Sequence, residues 1–141
     1  LNNDKKIEKP SDLAGTKMRM PPGASFQVLA KALGATPVAM PITEVYLGLK
    51  TGQIDAQDNP TNMTRDWKFH EVTKQVVLTR HLVQPEFAGA ILSASQIAKT
   101  LQDEKSALDT FRSANVRISE PDASLFRTTV FKEYEASGMT A

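Results

Sequence analysis

Apolar positions along this chain switch repeatedly between a spacing of two and a spacing of three to four, the pattern of strands alternating with helices. Pro10-Ser11-Asp12-Leu13-Ala14-Gly15 reads as a capped turn leading into Lys17-Met18-Arg19-Met20, a brief strand stopped by Pro21-Pro22. Phe26, Leu29, Ala30 and Leu33 then recur at helical spacing up to Gly34. Thr36 to Met40 predicts a second strand, and Pro41 and Thr43 open a helix that turns Val45, Tyr46 and Leu49 inward and closes at Gly52. Gln53 to Gln57 predicts a third strand, followed by the turn Asn59-Pro60-Thr61 and a polar helical segment carrying Trp67, Phe69 and His70.

Two β-rich stretches come next, Gln75 to Leu82 and Glu86 to Ser93. Ile97, Leu101, Leu108 and Phe111 mark a helix from about Gln96 to Ala114. Val116 to Ile118 predicts a last strand, and Pro121 introduces a helix with Leu125, Phe126, Val130 and Tyr134 on one face. The fold class expected is therefore α/β: a single unit over residues 1–141 with a mainly parallel central sheet flanked by helices in flavodoxin-like layering, with room for antiparallel edge or crossover strands. In such sheets ligands lie beyond the carboxyl ends of the strands, which directs attention to the loops after Arg19 and after Gln57.

Composition narrows the function classes. The chain has 141 residues, enough for one ordinary domain, and a net charge of +1 with both signs interspersed, so there is no basic stripe to follow a nucleic acid backbone. Cysteine is absent, which removes disulfides and thiolate chemistry. The apolar runs are too short to span a bilayer. The amino end lacks a hydrophobic signal-peptide core, as expected of a mature or trimmed form or of a cytoplasmic protein.

Among residues able to carry chemistry, Arg19 ends a strand where an open sheet presents its crevice, and its planar fork of donors suits a carboxylate. Spacing by itself favours a structural ion pair for Arg19, a turn role for Asn59 and a satisfied structural role for His81. Asp55 and Asp58 lie close together but no further metal ligands follow, and His70 and His81 lack a metal-ligand spacing. No nucleophile elbow or phosphate-binding glycine loop is present, so no metal, cofactor or enzyme activity is expected.

The blocks Asp12 to Pro21, Leu33 to Pro37, "MPITEVYLGLKTGQIDAQDNP" and "KFHEVTKQVVLTRH", in that order, resemble the solute-binding proteins of tripartite ATP-independent periplasmic (TRAP) transporters. "VRISEPD" and the amphipathic helix after it are similar to the family as well. The resemblance implies that Arg19 pairs with the carboxylate of an organic acid, that Asn59 orients the same end of the ligand, and that His81 lies near the ligand and its waters. It also implies a periplasmic protein that hands its ligand to membrane permease subunits.

Departures from the family pattern qualify these roles. Ile42 stands where some members, sialic acid binders included, have an aromatic residue, and Pro22 replaces a polar contact, which disfavours sialic acid. Asp58 replaces a frequent glutamate, and Glu86 and Phe87 fall at positions that line the pocket in some members. Ile42, Pro22 and Phe87 are thus expected to shape the wall of the site. Family members have two lobes; this chain matches one, with residues 1–93 as a first segment and about 96–141 rejoined to it through "SASQIAKTLQDEKS". An isolated lobe is expected to bind its acid weakly or not at all, and the surface left by the other lobe could make it a self-associating scaffold.

Overall fold

The computed structural model describes residues 1–81 and 94–138, with the side chains of 94–97 left aside. The elements run β1 (Lys17–Met20), α1 (Ala24–Ala32), β2 (Thr36–Ala39), α2 (Ile42–Thr51), β3 (Ala56–Gln57), α3 (Thr61–Asp66), a 3-10 turn (Phe69–Val72), β4 (Gln75–Val77), α4 (Ala94–Ser113), β5 (Arg117–Ser119) and α5 (Ala123–Ala136). This is the α/β arrangement expected, and every strand pairing among the described residues is parallel. The strand expected at Glu86 to Ser93 lies outside the described residues.

Among the described residues the strands fall in two sheets, β2-β1-β3, the central parallel sheet expected, and β4-β5. What separates them is the amino-terminal segment. The backbone N–H of Asn2 donates to Asp55 O at 2.9 Å, just before β3, while Leu1 O accepts from Lys74 N at 2.9 Å, just before β4. Leu1 and Asn2 therefore occupy the space in which β3 and β4 would otherwise pair. Gln75, fully buried, fastens the same segment: its Nε2 donates to Lys5 O at 2.8 Å and to Asn3 O at 2.9 Å, and its Oε1 accepts from Arg117 Nη2. Pro37 is accommodated because β2 is an edge strand, where a missing N–H breaks no ladder.

Alternation along β1 sends Met18 and Met20 to one face and Arg19 to the other. Met18 and Met20 pack with Leu29, Ala30 and Leu33 at α1 and with Phe126 and Val130 of α5. On the opposite face, Val45 and Leu49 of α2 close over Met40, Ile54 and Phe69. Ala107 and Phe111 of α4 cover Val116 beside β5. The inward faces read from periodicity are thus right at their centres and too wide at their ends: Phe26, Leu101 and Leu125 are exposed.

Gly34 ends α1 with φ at 81°, and a Cβ there would stand 2.8 Å from Pro10 O. Both the left-handed backbone and the close approach require glycine. Gly34→Ala should cost about 2 kcal/mol or more, visible as a lowered urea midpoint at unchanged slope. An unchanged midpoint would show that the Pro10 turn yields freely.

Candidate functional site

Parallel register sets the geometry around Arg19. Arg19 pairs with Val38 of β2 on one side and with Gln57 of β3 on the other. Side chains paired in this way share a face, so Gln57 stands beside Arg19 on the α2 side of the sheet. Arg19 is only 2% exposed. Its Nε donates to Met40 O at 2.7 Å, which anchors the guanidinium at the carboxyl end of β2. Its Nη1 is buried with no hydrogen-bond partner.

A buried guanidinium with an unmet donor is costly, because water has been removed and nothing replaces it. Burial lowers the Arg19 pKa from its ordinary value, and the negative charge of Asp58 partly opposes that effect. Arg19 remains cationic across any physiological pH. The arrangement is therefore a fixed, desolvated positive charge with a donor still to be satisfied.

Asn59 lies two residues past the end of β3 and is half-buried. Its Nδ2 donates a short hydrogen bond to Gln57 Oε1, and Gln57 Nε2 donates to Thr64 Oγ1 at 3.1 Å. Gln57 thus links Asn59 to the neighbourhood of Arg19 and to α3. Sequence reasoning passed over Gln57, although its place at the strand end, two residues before Asn59, was the available signal.

His81 arrives from β4. The strand stops at Val77, short of the expected Leu82, because the chain turns: Thr79 N donates to Val77 O at 3.0 Å and Arg80 adopts φ 48°. Arg127 of α5 secures that turn by donating from Nε to Arg80 O at 2.8 Å. The turn buries His81 with Nδ1 2.6 Å from Thr79 Oγ1 and Nε2 3.5 Å from Asp58 Oδ2. That second approach is not a hydrogen bond, and Nε2 has no partner.

Asp58 is half-buried between Asn59 and His81. Its charge also contributes to raising the pKa of Tyr134 on α5, after burial, which is the larger cause. Asp55 plays a different part: its Oδ2 accepts from Lys17 N at 2.9 Å and ties β1 to the approach to β3. Among the described residues no cluster of His, Cys, Asp or Glu could hold a metal ion.

The other candidates sit at varying distance from this centre. Ile42 opens α2 and is half-buried against the Met40, Val45 and Phe69 cluster. Pro22 is exposed in the loop after β1. Phe87 and Glu86 lie outside the described residues. Phe69 is fully buried and Trp67 lies against it, with ring centroids 6.3 Å apart, while His70 packs on Phe111. A cavity of about 100 Å³ between β3 and β4 is lined by Asp58, Asn59, Thr61, Thr79 and His81. Arg19 is not part of its wall.

Comparison with known proteins places this geometry in context. The family model for bacterial extracellular solute-binding proteins, family 7, matches residues 1–111. The chain is 33% identical to the 2,3-diketo-L-gulonate-binding periplasmic protein of Escherichia coli, across 83% of this chain and 42% of that protein. It is 29% identical to the sialic acid-binding periplasmic protein of Vibrio cholerae, across 89% and 47% respectively. A crystal structure of a TRAP periplasmic solute-binding protein from Roseobacter denitrificans, with bound 3-deoxy-D-manno-oct-2-ulosonic acid, matches with a TM-score of 0.80 at 36% identity. That match covers 94% of this chain and 50% of the other. The chain spans about half the length of these relatives. Since the family model matches well over half of its residues, the chain belongs to family 7 of the bacterial extracellular solute-binding proteins.

Proposed function

We propose that this chain supplies the carboxylate-holding lobe of a periplasmic protein that captures an organic acid and delivers it to the membrane permease of a TRAP transporter, without covalent chemistry. One observation carries the reading: Arg19 is buried, anchored through Nε to Met40 O, and left with Nη1 unpartnered. A structural arginine would have its donors met by the protein; this one presents an unmet donor at the strand ends. The ligand's carboxylate supplies the missing acceptor, Asn59 orients it, His81 faces it across the loop, and Ile42 and Pro22 shape the wall. The acids bound by two relatives, 2,3-diketo-L-gulonate and 3-deoxy-D-manno-oct-2-ulosonic acid, support an organic acid as the class.

The 141-residue chain by itself should bind such acids with a Kd weaker than about 1 mM, or about 4 kcal/mol of binding free energy. A ligand held by one lobe keeps much of its surface in water, so little apolar burial is left to offset the entropy lost on association. NMR titration of the isotope-labelled chain tests this, with the Arg19 Nε–H as reporter because its bond to Met40 O keeps it observable. Saturable shifts of that resonance at millimolar acid are expected. Micromolar affinity would contradict the half-site, and no response up to about 0.1 M would contradict the carboxylate role.

A further inference from the structure

Gln57 has no role in the carboxylate reading, yet it borders both of the residues on which that reading stands. It ends β3, and the parallel register sets it opposite Arg19, one strand spacing of about 4.8 Å away. Both ends of its amide are held. Oε1 accepts from Asn59 Nδ2, and Nε2 donates to Thr64 Oγ1 at 3.1 Å. Thr64 is 4% exposed, and its backbone N–H donates to Pro60 O at 3.0 Å in α3, so the hydroxyl that receives Gln57 is a fixed point of the fold.

An asparagine on a loop turns about two side-chain bonds, and turning its amide over exchanges donor for acceptor. The relay from Thr64 through Gln57 removes both freedoms from Asn59. With one Nδ2 hydrogen engaged by Gln57, Asn59 keeps its second N–H and its Oδ1 for a ligand. A group ordered before the ligand arrives loses less entropy when the ligand binds. The need for a neutral amide at position 57 follows from its other neighbour. A carboxylate there could accept from Asn59 and from the Thr64 hydroxyl, but its charge would stand one strand away from the unmet Nη1 of Arg19 and compete with the ligand for it. An apolar side chain would leave Arg19 free and Asn59 unheld.

We propose that Gln57 is the positioning residue of the site: it fixes the Asn59 amide with one N–H free and, being neutral, leaves the Arg19 guanidinium to the ligand's carboxylate. The inference rests on the carboxylate reading and adds to it a residue that acts through its neighbours. A glutamine that served packing alone could be replaced by methionine, of similar length and adaptable shape, with no consequence for binding by the folded chain.

The isotope-labelled 141-residue chain and its Gln57→Met and Gln57→Glu variants are compared by NMR at the Asn59 side-chain NH2 and at Arg19 Nε–H. The titrant is 3-deoxy-D-manno-oct-2-ulosonic acid, the acid bound by the Roseobacter relative. Without acid, one Asn59 NH2 proton of the unmodified chain is expected downfield and slow to exchange with water, because it is held by Gln57. Gln57→Met should return that proton to the shift and fast exchange of a free amide and weaken binding about fivefold, with Arg19 still responding at saturation. Gln57→Glu should keep the Asn59 proton protected and weaken binding about tenfold or more. Free-amide behaviour of Asn59 in the unmodified chain overturns the proposal even if neither variant folds. So does an affinity within about twofold of the parent in either folded variant. Silence of Arg19 toward the acid in the unmodified chain overturns the carboxylate reading and this inference with it, and a protected Asn59 proton then marks a relay that only braces the loop.

Discussion

Arg19→Met should make the protein more stable and abolish its response to organic acids. The parent side chain is 2% exposed, donates from Nε to Met40 O and leaves Nη1 unmet, so folding desolvates a full charge for little return. Methionine fills a similar length without that cost, and its sulfur and methyl group suit the apolar neighbours Val38 and Met40. Replacing a buried charge by a packed apolar residue commonly gains about 1–3 kcal/mol, which for a chain of this size raises Tm by several degrees. Asp58 would not be stranded, since its side chain is 31% exposed and can take up water.

The two halves of this expectation matter together. A structural arginine, tied to Asp58 as an ion pair, would be missed on removal and Tm would fall. A ligand-holding arginine is kept in spite of its effect on stability, as unmet polar groups at functional sites commonly are. Thermal unfolding with calorimetric detection, combined with the NMR titration, reads both. A lower Tm accompanied by an unaltered response to acids would end the assignment.

Phe69→Ala is expected to be the most damaging single change outside the site. Phe69 is fully buried at the meeting point of Met40, Val45, Leu49 and Ile54, with Val72 and Val38 packed around the cluster. Truncation removes a large apolar side chain and leaves a cavity, at a cost of about 3–5 kcal/mol. That is a large part of the about 5–15 kcal/mol by which domains are ordinarily stable. The effect should also reach the site, because Met40, whose carbonyl holds Arg19 Nε, belongs to the same cluster. Urea unfolding should show the loss, and faster hydrogen exchange at Arg19 Nε–H should accompany it. A loss under about 1 kcal/mol, outside the usual range for such truncations, would mean that Trp67 swings in to fill the space.

The helix and strand order was readable in the residues themselves, since periodicity, proline and glycine act locally. Pro21-Pro22 ends β1, Gly34 and Gly52 end α1 and α2, and Val45, Leu49, Phe126 and Val130 face inward as their spacing predicts. Parallel pairing also followed, because a helix between consecutive strands enforces it. The motif blocks carried the family resemblance, which the family match bears out.

What the residues could not declare were relations set by contact between distant segments. The bridge from the approach to β3 to the approach to β4 depends on Leu1 and Asn2 reaching Lys74 and Asp55. Gln57 becomes a neighbour of Arg19 only through the register of β1 with β3. Asp58 meets His81 only because Arg80 takes a positive φ and Arg127 of α5 holds the turn. Above all, the burial of Arg19 was invisible: a charged residue at the end of a short strand reads as exposed until the sheet, α2 and Met40 are in place around it. Spacing along a chain determines which elements form, whereas desolvation and an unmet donor are properties of the packed assembly, and it is those that make this arginine a candidate for binding.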